Sequence, residues 1–315
     1  MVTSQRIKDL SCEGSRQLDL LSEYLLFLES HRGLTKKTVG MRRHYVRVFL
    51  KSLKFKNDRE NIRKISVSQI YDCIMKAAKV MTRPTRKQFT TSIRSFLKFI
   101  HVKGYISKDI TEAVPVFKTM KLDHVPRGMS WESVEKILGV AKTNCETHTG
   151  RRAYAILQLL ATYGVRVGQV EKLRLQDINW REGIIHFRAS KSGNPLCLPL
   201  YDHVADALLA YIDKSRGSAD YPEVFLSVIG DPMPLSNGGS FYRSMKACFL
   251  DAGITGKSTH AIRHAFATRL MEHGTPIKMI ADLLGHRSIR NTFIYTKVDL
   301  KHLHPLAYEW PEVRP

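Results

Sequence analysis

The chain has 315 residues, 50 Lys+Arg against 29 Asp+Glu, a formal net charge of +21 and 43% hydrophobic residues. That apolar content suffices to bury a core and excludes disorder as the dominant state, and the length favours two domains over one. No apolar run approaches the ~20 residues that span a bilayer, and the first residues carry no apolar signal segment, so a cytoplasmic protein without a membrane partner is expected. Five cysteines (Cys12, Cys73, Cys145, Cys197, Cys248) stand singly with no CxxC pair, which disfavours a disulfide scaffold or a zinc knuckle. A pI near 9.9 points to a polyanion, nucleic acid first, with a generally basic surface as the alternative.

The charge is unevenly spread: residues 1–120 hold 25 Lys+Arg and 10 Asp+Glu (+15), and residues 121–315 hold 25 and 19 (+6). The first part reads as short helices. Apolar residues recur at three- and four-residue spacing from Leu18 to Leu28, Gly33 ends that helix, and Thr35 caps a second one running to about Phe55. A third spans roughly Val67–Val80 and a fourth Thr85–His101. Lys36, Lys37, Arg42, Arg43 and Arg47 on the second, and Arg83, Arg86, Lys87 and Arg94 around the fourth, are candidate DNA contacts. An ordinary solvated helix face is the alternative.

Residues 121–129, with Pro126 and Gly128, read as a linker between a 1–120 unit and a 130–315 unit. Ser130 then caps a helix. Beyond it come an apolar helix over Ala153–Tyr163 and β-like runs at Leu175–Trp180, Ile184–Phe187 and Leu196–Leu200, which predict a small antiparallel sheet. Helices are expected at about Asp202–Ser215, Gly239–Ala252, Thr259–His273, Pro276–Leu284 and Ser288–Tyr295. The fold class is thus mainly α with a small antiparallel β-sheet in the C-terminal domain.

Gly256-Lys257-Ser258 resembles the end of a phosphate-binding loop, but the glycine that loop needs at 251 is Asp251, so no nucleotide site is expected. More informative is Thr259–Leu270, where His260 and Arg263 lie three apart near a helix start, a setting suited to phosphate. His286 follows Leu284-Gly285 on an exit loop, and Tyr295 comes nine residues later. Arg166 sits between two apolar helices, where a bare charge is costly, and Lys191 lies in the turn 190–194 of the small sheet.

In this order, Arg166, Lys191, His260-x-x-Arg263-His264, Leu284-Gly285-His286 and Tyr295 closely resemble the tyrosine recombinase (phage integrase/Xer-type) family over essentially the whole chain. The resemblance implies a helical-bundle (SAM-like) core-binding domain and a mixed α+β catalytic domain, closing as a clamp on double-stranded DNA. It implies that Tyr295 attacks the scissile phosphate to give a 3′-phosphotyrosine. His260 would accept the phenol proton, Arg166 and Arg263 would clamp the non-bridging oxygens, Lys191 would protonate the leaving 5′-oxygen, and His286 would hydrogen-bond the phosphate. Neither metal nor ATP is needed, and no cofactor is expected. His264, one residue off the His260/Arg263 face, is expected to pack or support rather than react, and His273, His302 and His304 are expected at the surface. The family often carries an acidic residue where this chain has Gln169. With only residues 1–17 before the first helix, simple core-site recognition without an arm-type DNA-binding domain is the expectation. The apolar tail 299–315 suggests exchange between protomers of a tetramer on DNA, with partner recombinases an open option. A type IB topoisomerase-like enzyme and a catalytically idle DNA-binding accessory protein are the competing readings.

Overall fold

The computed structural model describes residues 19–53, 59–117, 128–189, 194–227, 230–235, 239–289 and 292, with 59–60, 239–242 and 244 described by backbone alone. The chain divides into two compact units, Met1–Asp123 and His124–Pro315.

The first unit holds α1 (Leu20–Ser30), α2 (Lys36–Ser52), α3 (Arg59–Arg63), α4 (Val67–Val80) and α5 (Arg83–Val102). Asp19 caps α1, its carboxylate accepting from Ser22 N at 2.6 Å. A reciprocal Ser66–Gln69 capping box starts α4. Helix α5 begins two residues before the expected Thr85 because Pro84, which would break a helix interior, is tolerated in the first turn. The inward faces of α1 and α5 meet through Tyr24, whose ring stands edge-on to Phe96 at 5.3 Å. Val39, Val46 and Phe49 of α2 and Ile93, Leu97 and Ile100 of α5 fill the same core.

The second unit holds α6 (Trp131–Thr143), α7 (His148–Tyr163), α8 (Val167–Val170), strands β1 (Ile178–Asn179), β2 (Ile184–Phe187) and β3 (Leu196–Pro199), then α9 (Asp202–Tyr211), α10 (Gly239–Asp251), α11 (Thr259–Glu272) and α12 (Ile277–Leu283). Helix α7 is the central element, buried nearly all round. It starts five residues before the expected Ala153 because the Thr147 hydroxyl caps Gly150 N at 2.9 Å. The sheet is antiparallel in the order β1-β2-β3, with Ile185 opposite both Ile178 and Leu198.

Three expectations need correction. The run Leu175–Trp180 is not one strand: a 3₁₀ turn over Leu175–Asp177 replaces its first half. The Asp177 carboxylate accepts from Arg174 N at 2.9 Å and closes a turn where an extended chain was expected. The helix predicted over Asp202–Ser215 gives way after Tyr211 to a π turn, Ile212–Arg216. The third strand ends at Pro199, although Leu200 N still donates to Gly183 O at 2.7 Å. Ser258, part of the discarded phosphate-loop lookalike, is the N-cap of α11. Among the described residues no helix is long and apolar enough to cross a membrane.

Candidate active site

The site is built where α7, α11 and α12 end or begin. Helix α7 stops at Gly164, whose φ of +59° gives the left-handed cap that glycine adopts without strain. The chain then turns through Val165 to Arg166, the N-cap of α8. Arg166 N donates to the Gln169 Oε1 at 3.1 Å, and Gln169 Nε2 donates to the Arg188 carbonyl at the end of β2 at 3.3 Å. Gln169 is only 2% exposed. A carboxylate could make the first of these bonds but not the second, because it has no proton to give. The amide therefore ties the Arg166 segment to the strand that leads towards Lys191.

Arg263, on α11, is 5% exposed. Its Nη1 donates to Gly164 O at 2.6 Å and its Nη2 to Leu284 O at 2.8 Å, so one guanidinium joins the last carbonyls of α7 and α12 to α11. Nη2 also lies 2.9 Å from His286 Nε2. His286 follows Gly285, another glycine at positive φ, and its Nδ1 is 2.7 Å from the hydroxyl of the fully buried Thr292. Both ring nitrogens of His286 thus lie within hydrogen-bond distance of protein groups. The Gly285 carbonyl accepts from Asn194 N at 3.0 Å, and Leu196 lies against Gly285, which joins the β2–β3 hairpin to the His286 loop.

His260 lies at the exposed edge of this group, one helical turn before Arg263. Partial burial, then the positive charges of Arg263 and Arg166, depress its affinity for a proton. His264 is depressed by burial and by His260 and Arg263, so it stands inside the same electrostatic group as a neighbour, half-buried on α11. Burial, followed by Arg263, Arg166 and His264, pushes His286 down to about 4. At neutral pH these imidazoles are therefore held uncharged beside the two guanidiniums. Tyr163, close to this segment in sequence, cannot serve as an easily ionised phenol: burial pushes it up to about 12, and its hydroxyl donates to Pro199 O at 2.7 Å.

The structure therefore brings Arg166, His260, Arg263 and His286 together, while Lys191 and Tyr295 lie outside the described residues, as do His302, His304 and the tail 299–315. Sequence reasoning missed Thr292, the Gly164 and Leu284 carbonyls and the Asn194–Gly285 link. The glycine closing an apolar helix was the available signal for the first carbonyl; the others are pairings across more than twenty residues or hydroxyl contacts without periodicity.

In the first unit, Lys36, Lys37, Arg43, Arg47, Arg83 and Lys87 are exposed. Arg42, Arg86 and Arg94, also expected to contact DNA, are half-buried with donors used internally. Arg42 donates to Ser95 Oγ, Arg86 Nε to Met81 O at 2.8 Å, and Arg94 Nη2 to Val114 O at 2.7 Å. They brace α2, α5 and the segment after α5. Among the described residues no group of three or more His, Cys, Asp or Glu side chains is placed to hold a metal ion.

The depressed histidines predict a pH effect with a definite sign. The unfolded chain binds their protons near pH 6.5 and the folded chain does not, so stability falls as pH drops from about 6.5 towards 4. His286 contributes on the order of 2 kcal/mol to that loss after solvent screening. Denaturant midpoints at pH 7 and pH 4.5 should therefore fall less in His286→Gln than in the unmodified chain; parallel declines would contradict the shift.

Residues 128–302 match the model of the phage integrase family. The chain is 32% identical over 292 residues to an integrase/recombinase by name, y4rA of Sinorhizobium fredii (strain NBRC 101917 / NGR234), covering 91% of this chain and 70% of that protein. It is 26% identical over 305 residues to the tyrosine recombinase XerD of Listeria innocua, covering 92% and 99%. In fold it is similar to the XerH site-specific recombinase bound to a palindromic difH substrate, with a TM-score of 0.67, 16% identity and coverage of 93% and 85%. A lambda integrase tetramer bound to a Holliday junction gives a TM-score of 0.67 at 18% identity, covering 94% and 79%.

Proposed function

Because the chain belongs to the phage integrase family of tyrosine recombinases, we propose that it is a site-specific recombinase that cleaves and rejoins duplex DNA through a 3′-phosphotyrosine at Tyr295. The observation that carries this reading is the gathering of Arg166, Arg263, His260 and His286 at the shared ends of α7, α11 and α12. Two guanidiniums there can offset the charge that develops on a pentacoordinate phosphate.

In the forward step the Tyr295 phenolate oxygen bonds to phosphorus, the bond from phosphorus to the 5′-oxygen breaks, and the phenol proton passes to neutral His260. Lys191 delivers a proton to the departing 5′-oxygen, leaving a free 5′-hydroxyl. The phosphodiester bond energy is retained in the protein–DNA link, so rejoining requires no ATP. Strand exchange proceeds in two pairs through a Holliday junction, within a homotetramer whose protomers exchange the tails 299–315. The basic first unit, with Lys36, Lys37, Arg43, Arg47, Arg83 and Lys87 exposed, grips the DNA backbone and weakens its hold as salt rises.

The test is a duplex nicked beside the cleavage point, which loses the short leaving strand and traps the covalent intermediate. A protein–DNA adduct whose modified peptide maps to Tyr295 supports the proposal. An adduct on another residue overturns the nucleophile assignment, and DNA binding with no adduct favours the accessory-protein reading.

A further inference from the structure

The two ends of the β2–β3 turn are tied to different parts of the second unit. Arg188, just after β2, sets its guanidinium side-on against the Asp177 carboxylate, with Nε donating to Oδ2 at 3.0 Å and Nη2 to Oδ1 at 2.9 Å. Its carbonyl accepts from Gln169 Nε2. At the other end Asn194 N donates to Gly285 O. Lys191 stands three residues from each of these anchors in sequence, so the positions of Arg188 and Asn194 bound where that lysine can reach. We propose that Asp177 is a positioning residue: through Arg188 it fixes the strand end from which Lys191, the general acid of the proposed reaction, is presented.

Asp177 can hold Arg188 because it is itself fixed. It is 8% exposed, and its Oδ2 also accepts from Arg174 N at 2.9 Å to close the 3₁₀ turn. That turn rests in its own right on the segment 222–224. Leu175 N donates to Pro222 O and Val224 N to Leu173 O, both at 2.8 Å, and Leu173 and Val224 lie in the core of the unit. Burial works against a charge on Asp177, but the bonds from Arg188 and Arg174 outweigh it and hold the carboxyl below its usual range. The pair is therefore ionic at neutral pH. The Arg188 side chain is 41% exposed against 9% for Asp177, so the carboxylate is the fixed half and the arginine the half that is held.

The proposal rests on the recombinase reading, and its test separates the two. Single-turnover adduct formation, with protein saturating, is measured on nicked duplexes that carry either oxygen or sulfur at the 5′-bridging position of the scissile phosphate. A thiolate departs without a proton, whereas an alkoxide needs one, so the sulfur duplex bypasses the general acid. Asp177→Asn keeps an oxygen for Arg174 N but removes the charge and the second oxygen that hold Arg188. It should slow adduct formation about tenfold on the oxygen duplex, part of the roughly 10²- to 10⁴-fold that a general acid supplies, and react at native rate on the sulfur duplex. Lys191→Ala should show the same pattern more strongly, and the double variant should be no slower than Lys191→Ala alone. Arg263→Ala should stay slow on both duplexes. Arg188→Gln breaks the pair from its exposed side and should repeat the Asp177→Asn pattern, so the test stands even if the buried substitution prevents folding. Equal slowing on both duplexes, a native rate on the oxygen duplex, additive losses in the double variant or a Lys191→Ala protein that sulfur does not restore overturns the proposal alone. No adduct from the unmodified chain on either duplex overturns the recombinase reading, and the proposal with it.

Discussion

Arg263→Ala is expected to lower the rate of covalent adduct formation on a nicked duplex by about 10²- to 10³-fold, the loss typical when a fixed donor to a developing oxyanion is removed. The same change strands acceptors that the guanidinium now satisfies, namely Gly164 O, Leu284 O and His286 Nε2. Leaving such buried acceptors unmet costs about 1–3 kcal/mol. Denaturation should therefore show a measurable loss of stability alongside the loss of rate. Arg263→Lys separates charge from geometry. A lysine keeps the positive charge but presents a single ammonium on a flexible stem, and it cannot reproduce the planar fork that spans the Gly164 and Leu284 carbonyls. Its rate should stay within about tenfold of the alanine variant. Single-turnover adduct formation, with DNA affinity measured in parallel at fixed salt, reads the difference. A lysine variant close to native rate would show that charge alone suffices and that the hydrogen-bonded frame around Arg263 has no catalytic weight.

Gly164→Ala should be nearly as damaging although it adds only a methyl group and leaves every proposed catalytic side chain in place. The residue has φ of +59°, and an added Cβ would press into the Phe266 ring, with Cε1 at 2.9 Å. The left-handed conformation costs an alanine about 1–2 kcal/mol and the overpacking about 1–3 more, a total of about 2–5 kcal/mol. The Gly164 carbonyl, on which Arg263 rests, should move with the strained turn, so cleavage should fall even in the fraction that remains folded. Gly183→Ala is the control: its φ is +63°, yet nothing lies within 4 Å of the added carbon, so it should show the backbone cost without the clash. Phe266→Leu in the Gly164→Ala background should recover part of the stability. Equal midpoints for the Gly164 and Gly183 variants would remove the steric part of the argument.

The difference between what was legible and what was not follows the range of the interactions. The helices carry their own periodicity: α1, α4 and α5 were readable within two residues, because the apolar stripe, caps and stop signals are all local. The expected strand Leu175–Trp180 failed because a carboxylate at 177 competes for a backbone N–H three residues back, which outweighs β-propensity. Arg42, Arg86 and Arg94 looked like their exposed neighbours because nothing in a basic residue's identity says that Ser95, Met81 or Val114 will face it. Gln169 was visible as a departure from the family pattern, but its second bond, to Arg188 O, depends on strand β2 passing beside α8.

By itself, then, the sequence determined the strongly basic charge, the residue pattern that resembles the family and the mainly helical fold with one small sheet. Charge, spacing and periodicity are properties of the unfolded string as much as of the folded chain. Tertiary structure decided how that chemistry is held. It set Arg263 on the carbonyls of Gly164 and Leu284, turned His286 inwards between Arg263 and Thr292, and stitched the hairpin to the His286 loop through Asn194 and Gly285. Apart from the His286–Thr292 pair, these contacts join residues more than twenty positions apart, most through main-chain atoms that every residue shares, so no residue type announces them.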